Sequence, residues 1–310
     1  MMERLHVNFE VWPEAMELGE MFAAEGFELA LVGGPVRDLL LHRRSHDLDF
    51  CTSARPEQFE PILRKFGRDG FWDMGRKFGT LGAMRRRADG TEVQVEVTTY
   101  RTDAYNPDSR KPEVAYGDTL EGDLSRRDFT VNAMALRVPE LEFVDPFGGA
   151  NDLAKGVLRT PVDPRQSFDD DPLRMMRAVR FVAQLGFSIE PETAEAMYDM
   201  TDRIRIVSAE RVRDELVKTL LSDRPRAGIE ALVESGLADI VFPEIPALEL
   251  QIDEHHRHKD VFEHTMIVLD RAVALETDDD GPVPRPDLTL RLAALMHDIG
   301  KPKTRRFEAG

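Results

Sequence analysis

Residues 29–50 read LALVGGPVRDLLLHRRSHDLDF, and this stretch predicts the local structure on which the fold is built. The apolar run Leu29–Val32 predicts a short buried strand, and Gly33-Gly34 predicts a tight turn at its end. Pro35 suits the first position of a helix, because its missing N–H costs nothing there. The start of a helix exposes unpaired N–H groups and the positive end of the dipole, which suits a phosphate, and Arg37 could add a charge-assisted contact.

A second pattern follows a basic loop, in His46-Asp47-Leu48-Asp49-Phe50. On a strand, residues two apart share a face, so Asp47 and Asp49 are predicted to point together while Leu48 and Phe50 enter the core. Two neighbouring carboxylates repel each other unless a cation lies between them, and Mg²⁺ prefers carboxylate and phosphate oxygens. A polar strand end after an ordinary strand-turn-helix is the alternative. The order and spacing together favour a metal-dependent nucleotidyl transfer site.

The motifs GGPVRDLLL and DLDF resemble the signature of the tRNA nucleotidyltransferase and poly(A) polymerase family, within the DNA polymerase beta superfamily. The resemblance implies that Gly34 and Arg37 contact the nucleotide and that Asp47 and Asp49 hold magnesium. Superfamily members often place a third carboxylate on a neighbouring strand. Glu96, on the polar face of a strand predicted over 91–99, is the candidate, and an exposed strand glutamate is the alternative.

Residues 126–135, RRDFTVNAMA, predict a helix with Asp128 and Asn132 on one face, where both could hydrogen-bond hydroxyl groups. The run resembles the second motif of the family, which implies ribose and triphosphate contacts, chiefly from Arg127. Residues 101–119 contain several helix and strand breakers and predict a mobile loop. In the family, a flexible segment here helps to switch nucleotide specificity in enzymes that add both C and A.

Residues 171–181, DPLRMMRAVRF, predict a helix on which Arg174, Arg177 and Arg180 recur every three residues. Such a stripe usually faces solvent, and Asp171 could be only a helix cap. Cytosine and adenine, however, both present an amino donor beside a ring-nitrogen acceptor. A carboxylate and an arginine side by side match that pair and leave unpaired groups against uracil and guanine.

Asp171 with Arg174 is therefore a candidate protein template for C and A, supported by Arg177 and Arg180. The segment resembles the family motif E-D-x-x-R, with Asp170 in place of the glutamate, so no role is assigned to the first acid. Ser208 begins a helix that resembles the neck-helix motif of the family, to which we assign a structural role.

Histidines concentrate near the end of the chain, where five of the eight lie between 255 and 297. The run LRLAALMHDIGKP puts His297-Asp298 at the end of an apolar helix, and His264 is the predicted partner in a divalent metal site. This part resembles the HD phosphohydrolase domain that some bacterial tRNA nucleotidyltransferases carry after the neck, with ordinary helix-end polarity as the alternative. The sequence stops at Gly310 before the downstream aspartate of complete HD sites, so a partial HD domain is expected.

Composition sets broad limits on the class of protein. Of the 310 residues, 42% are hydrophobic and 32% charged, which is ordinary for a globular protein. The net charge of −17 counts against a nucleic-acid partner without excluding one, because local basic patches matter more than the total. The single cysteine, Cys51, fits a reducing cytoplasm, and neither a signal peptide nor a membrane-spanning run is recognised.

The patterns predict mixed strands and helices over residues 1–152, and the resemblance implies that they form an α/β nucleotidyltransferase head with a DNA polymerase beta-like mixed sheet. An all-α neck and body that binds the base and the RNA would follow over 153–246, and the first part of an all-α HD domain over 247–310. The resemblance implies template-independent addition of C and A, from CTP and ATP, to the 3′ end of tRNA by two-metal nucleotidyl transfer, in which Asp47 and Asp49 hold two Mg²⁺ ions. A further divalent metal is expected in the HD part. The expected location is cytoplasmic, with no membrane partner.

Three alternatives stay open. A poly(A) polymerase or a CC-adding enzyme of the same family shares every motif above. An antibiotic-type nucleotidyltransferase shares only the acidic strand. An HD-type phosphohydrolase with a degenerate, RNA-binding head would retain phosphatase activity after Asp47→Ala.

Overall fold

A computed structural model describes residues 12–43, 47–104, 113–249, 261–277 and 283–304. The chain divides into two compact units, which we call the head unit and the helical unit. The head unit comprises Met1–Lys155 with Arg159–Val162, and the helical unit comprises Gly156–Leu158 with Asp163–Gly310.

The described part of the head unit is organised around a mixed sheet of seven strands, and two further strands form a separate two-stranded sheet. The strands in chain order are β1 (Leu29–Val32), β2 (Asp47–Thr52), β3 (Gly70–Trp72), β4 (Thr80–Arg86), β5 (Glu92–Thr99), β6 (Arg101–Ala104), β7 (Glu113–Tyr116), β8 (Ala135–Val138) and β9 (Glu142–Val144). The order in the large sheet is β3-β4-β5-β2-β1-β8-β9, and β6 pairs with β7. Every pairing in the large sheet is antiparallel except that of β2 with β5.

Five described helices belong to the head unit: α1 (Pro13–Ala24), α2 (Gly34–Leu40), α3 (Pro56–Phe66), α4 (Leu120–Ser125) and α5 (Gly149–Lys155). All four residues of β1 are buried, as expected for a strand between two others, and this strand forms as predicted. Strands β4 and β5 form a hairpin whose turn contains Asp89-Gly90, with Gly90 at a φ of 87°. The left-handed φ explains why glycine suits this turn.

The predicted helix over 126–135 is wrong. Helix α4 ends at Ser125, a single 3₁₀ turn covers Thr130–Asn132, and strand β8 begins at Ala135. The segment cannot present one apolar face to the core, because Phe129, Val131, Ala133 and Met134 are all fully buried. Its end pairs instead with β1, so tertiary burial overrides the helical pattern.

The predicted loop over 101–119 is wrong at both ends, because β6 and β7 pair there in antiparallel register from Arg101 with Tyr116 to Ala104 with Glu113. The middle of that prediction, residues 105–112, lies outside the described residues. The helix and strand breakers in this stretch therefore do not make all of residues 101–119 a loop, because a strand forms on either side of residues 105–112.

The described residues of the helical unit are mostly helical, and among them one short parallel pair of strands is formed by β10 (Val157–Leu158) and β11 (Ser188–Ile189). The helices are α6 (Pro164–Asp170), α7 (Leu173–Leu185), α8 (Pro191–Asp199), α9 (Ala209–Leu220), α10 (Pro225–Glu234), α11 (Ala238–Val241), α12 (Val261–Leu275), α13 (Leu288–Met296) and α14 (Lys301–Thr304). A mixed sheet followed by helices confirms the predicted fold class.

A buried ion pair fixes α13 within the core of the helical unit. Arg291 is 1% exposed and donates to both carboxylate oxygens of Glu276, at 2.7 and 2.6 Å. It also donates to the carbonyls of Leu220 and Ser222 at the end of α9. A cation at a helix C-terminus is favourable, so Arg291 joins α13 to α9. Among the described residues, no helix has both the length and the apolar character that a membrane crossing requires.

Candidate active site and metal centre

Three carboxylates share one face of the head sheet. Along β2, Asp47 and Asp49 are exposed while Leu48 and Phe50 are 1% exposed, which is the predicted alternation. Strand β5 runs parallel to β2 with Glu96 in register with Asp49. Residues in register on neighbouring strands point to the same side of a sheet, so Glu96 lies beside Asp49. We call Asp47, Asp49 and Glu96 the acidic edge.

The surroundings of Asp49, the residue between the other two in the acidic edge, shift its ionisation. The pKa of Asp49 rises from 3.8 to about 6, first because the surrounding protein reduces the hydration of its carboxylate. The negative charges of Glu96 and Asp47 raise this pKa further, and the guanidinium of Arg127 opposes the rise. A cation bound at the edge would relieve both the desolvation and the repulsion.

The glycine turn lies against the same arginine. Gly33 adopts a φ of 73° and caps α2, which begins one residue earlier than predicted, at Gly34. A Cβ on Gly33 would lie 3.0 Å from Nη1 of Arg127, so the guanidinium packs on the turn. Since the same guanidinium also influences Asp49, Arg127 connects the glycine turn with the acidic edge.

One further contact holds Arg127 in place, and the sequence reasoning missed its source. Asp123 is fully buried, and its Oδ2 accepts from Nη2 of Arg127 at 3.0 Å while its Oδ1 accepts from Arg126 at 2.7 Å. Burial alone would raise the pKa of Asp123, but the two guanidiniums keep it below its usual range. The acid four residues before Arg127 was the available signal, although Arg127 itself lies just beyond the end of α4.

Arg37, Asn132 and Asp128 form a connected network, although the last two do not lie on the predicted helix. Arg37 is 7% exposed and donates through Nη1 to Oδ1 of Asn132 at 2.8 Å, while its other nitrogens contact Asp38. Asn132 in turn donates to Asp128 at 3.0 Å. The polar residues predicted from two separate motifs are therefore brought together.

In the helical unit, Asp171 and Arg174 flank the start of α7. One carboxylate oxygen of Asp171 accepts from the backbone N–H of Leu173 at 3.2 Å, as a capping residue does, and the other lies 3.3 Å from Arg211. Arg174 is 8% exposed and donates through Nη1 to the hydroxyl and the carbonyl of Ser167, at 2.7 and 3.2 Å. Ser167 therefore restrains the guanidinium and was not anticipated from the sequence.

The other two arginines of the stripe also make specific contacts. Arg180 donates to Glu215 of α9 at 2.6 Å, and its guanidinium lies 4.3 Å from the ring centre of Phe181. Arg177 lies 5.5 Å from the same ring. The stripe is thus not a simple solvent-facing surface, since the Arg180 side chain is only 12% exposed.

The predicted HD residues form a tight cluster at the ends of α12 and α13. Nε2 of His297 lies 3.3 Å from Nε2 of His264 and 3.2 Å from Oδ2 of Asp298, and the same oxygen contacts Lys301 Nζ at 2.8 Å. Nδ1 of His297 lies 2.7 Å from the carbonyl of Ala294, which orients the ring. We call His264, His297 and Asp298 the HD cluster.

The acidic edge and the HD cluster differ in how close their potential ligand atoms lie to one another. Across the part of the chain that the structure describes, the HD cluster is the one group of three potential ligands with atoms within 4.8 Å of one another. The acidic edge does not form such a group. The predicted histidine-rich segment with His255, His256 and His258 lies outside the described residues.

Three family models match the chain in order. The poly A polymerase head domain matches residues 29–159, a probable RNA and SrmB-binding site of polymerase A matches 186–248, and the HD domain matches 261–309. The segment that matches the poly A polymerase head domain contains the acidic edge, and the segment that matches the HD domain contains the HD cluster.

Individual proteins that are similar to this chain in sequence or structure are CCA-adding enzymes. A CCA-adding enzyme of Streptococcus pneumoniae serotype 19F (strain G54) is 42% identical over 227 residues, which are 73% of this chain and 54% of the relative. The crystal structure of Bacillus stearothermophilus CCA-adding enzyme in complex with CTP is 34% identical with a TM-score of 0.67, covering 78% of this chain and 57% of that one. A CCA-adding enzyme in complex with ATP is 25% identical with a TM-score of 0.70, covering 95% and 63%. This chain spans about half the length of the curated relatives it matches.

Fold, acidic edge and domain order define a chain with a nucleotidyltransferase-type head, a helical body and an HD domain. The protein belongs to the tRNA nucleotidyltransferase and poly(A) polymerase family, which confirms the resemblance of its motifs.

Proposed function

We propose that this protein adds C and A nucleotides, from CTP and ATP, to the 3′ end of tRNA without a nucleic-acid template. The observation that carries the proposal is the acidic edge beside the glycine turn, with Arg127 in contact with the turn and electrostatically coupled to Asp49. The similarity to CCA-adding enzymes supports the choice of substrates.

Asp47, Asp49 and Glu96 would hold the magnesium ions. Their chemistry fits, because Mg²⁺ prefers carboxylate oxygens, and because a bound cation would lower the pKa of Asp49, which is raised first by desolvation and then by the charges of Glu96 and Asp47. Bound magnesium would favour ionisation of the RNA hydroxyl and neutralise the triphosphate. Glu96 serves here as the third carboxylate, as its register with Asp49 suggests.

The remaining head residues would position the nucleotide. Gly34 lets the backbone approach a phosphate closely, and Arg127 is held on the turn by Asp123 with its charge available to the triphosphate. Arg37 is oriented by Asn132, and Asp128 with Asn132 offers hydrogen-bonding groups for a ribose hydroxyl. Positioning and charge stabilisation supply most of the catalysis in phosphoryl transfer.

Base selection would fall to the helical unit. Asp171 offers an acceptor and Arg174 a donor, which match cytosine and adenine and leave uracil and guanine with unpaired groups. Ser167 restrains Arg174, while Arg177 and Arg180 support the helix that carries it. We assign residues 1–152 to the head, 153–246 to the base- and RNA-binding body and 247–310 to the HD part.

The proposal is tested by extension of a tRNA that lacks its 3′ terminal nucleotides, with CTP, ATP and Mg²⁺. Asp47→Ala is expected to lower incorporation by about a thousandfold or more while the protein stays folded. Asp202→Ala, at an aspartate with an 88% exposed side chain, serves as the matched control and should retain activity. Full incorporation by Asp47→Ala would overturn the proposal.

A second activity is favoured by the HD cluster. Two imidazoles and a carboxylate within 4.8 Å suit a divalent transition metal, and such a site can hydrolyse phosphate esters. The expected result is phosphatase activity on a model ester that requires added metal and survives Asp47→Ala. Phosphatase activity without tRNA extension would instead favour the HD-type phosphohydrolase alternative.

A further inference from the structure

Trp72 lies two strands away from Glu96 in the head sheet, in line with the acidic edge across the strands. Strand β3 pairs with β4 so that Trp72 lies opposite Gly82, and β4 pairs with β5 so that Gly82 lies opposite Glu96. Glu96 is in turn in register with Asp49. Because residues opposite each other share a face, the half-buried Trp72 stands on the same face as the carboxylates.

The indole reaches Glu96 by crossing the strand between them. A Cβ on Gly82 would lie 2.0 Å from Cε2 and 2.3 Å from Nε1 of Trp72, so the ring packs directly on the glycine backbone. Any side chain at this position would displace the ring. From there the indole N–H donates to Oε1 of Glu96 at 3.4 Å.

We propose that Trp72 is a positioning residue, whose indole N–H orients Glu96 and leaves the second carboxylate oxygen available for a divalent cation at the acidic edge. This inference rests on the proposed function, because it takes the edge to be the magnesium site. A neutral donor suits the task, since it fixes the ligand without adding a positive charge that would compete with the cation. Partners of this kind commonly change metal affinity by about 10- to 100-fold when they are removed.

The test uses the intrinsic fluorescence of the full chain, which contains two tryptophans, Trp12 and Trp72. Titration with Mg²⁺ alone should change the emission of the wild type and of Trp12→Phe, whose altered residue is a buried one at the start of α1. Trp72→Phe should lose the response. Asp49→Ala, which removes a proposed ligand, should also abolish it.

The second readout is the Mg²⁺ concentration that half-saturates tRNA extension. Trp72→Phe keeps an aromatic ring but loses the donor, and we expect this concentration to rise about tenfold while kcat at saturating Mg²⁺ changes little. Gly82→Ala should give the same increase with the tryptophan still present, because the added methyl group displaces the ring. Circular dichroism melting of both variants identifies any loss of folding.

Two outcomes separate this inference from the proposed function. In the first, the wild type extends tRNA, and a folded Trp72→Phe or Gly82→Ala variant is half-saturated at the same Mg²⁺ concentration as the wild type. This result overturns the role of Trp72 and leaves the proposed function in place. In the second, the wild type does not extend tRNA, but its Trp72 emission responds to Mg²⁺ and the Asp49→Ala variant shows no response. This result overturns the proposed reaction and retains Trp72 as part of a metal site.

Discussion

The acidic edge of the head and the HD cluster of the helical unit are both candidate metal sites, built from different ligands and held differently. The edge offers only carboxylates, spread over two strands and not gathered within 4.8 Å. The HD cluster offers two imidazoles and one carboxylate whose ligand atoms already lie within that distance. Hard oxygen ligands suit Mg²⁺, while imidazole suits transition metals, so the two sites should differ in metal preference.

The surroundings of the two sites differ as well. At the edge, Arg127 opposes the repulsion between carboxylates without closing the face to solvent. At the HD cluster, the ammonium group of Lys301 contacts the aspartate directly, at 2.8 Å. A cation bound at the HD cluster would therefore have to compete with the Lys301 ammonium group for Asp298.

The largest expected effect separates the two sites functionally. Asp49→Ala removes a carboxylate from the edge and should lower nucleotide incorporation by about a thousandfold or more. Transition-metal binding at the HD cluster, measured by isothermal titration with Ni²⁺, should remain at wild-type level. Loss of both properties in a folded variant would contradict the assignment of two independent sites.

The next effect concerns base choice rather than metal. Arg174→Ala should reduce the preference for CTP and ATP over UTP and GTP by about 10- to 100-fold, because the site then leaves fewer polar groups unpaired with the wrong base. The measurement is kcat/KM for each nucleotide. Arg205→Ala, at an exposed arginine of the same unit, is the control, and unchanged selectivity in Arg174→Ala would refute the template role.

His297→Ala sharpens the comparison from the other side. Removal of one imidazole should weaken Ni²⁺ binding by about tenfold or more while Mg²⁺-dependent extension is retained. His42→Asn is a suitable control, because His42 is exposed at a φ of 56°, which asparagine tolerates. Equal Ni²⁺ affinity of wild type and His297→Ala would exclude the cluster as the binding site.

The smallest effect is on stability. Because the pKa of Asp49 is raised from 3.8 to about 6, its ionisation opposes folding, and stability is lost as pH rises from about 4 through about 6. Without divalent ions, Asp49→Asn should therefore be more stable than wild type at pH 8, by about 1 kcal/mol after allowance for solvent screening, and equal to it near pH 4.

Urea unfolding at the two pH values measures this difference, with Asp202→Asn as the control. A stability difference between Asp49→Asn and wild type that does not change with pH would show that the carboxylate is not perturbed in the way described. Addition of Mg²⁺ should remove the advantage of the variant, since the cation stabilises only the ionised wild-type edge.

The sequence predicted the parts of this comparison that depend on short-range pattern. Strand β1, the glycine turn, the alternation of Asp47 and Asp49 and the pairing of His264 with His297 all follow from periodicity or motif spacing. The fold class followed from the change from mixed to helical pattern.

Long-range pairing set the limit of that prediction. The segment 126–135 has a helical pattern but is drawn into the sheet next to β1, and β6 and β7 pair across a stretch rich in breakers. The parallel register of Glu96 with Asp49 and the contact of Trp72 with Glu96 join residues more than 20 positions apart, on different strands. No local pattern encodes such neighbours.

The most direct test of the central claim is the sequence of the product. The purified protein is incubated with a tRNA that lacks its terminal CCA, together with CTP, ATP and Mg²⁺, and the extended 3′ ends are sequenced. We predict that C, C and A are added in that order and that synthesis then stops. Ends that remain unextended, or that carry a run of A alone, would contradict the account.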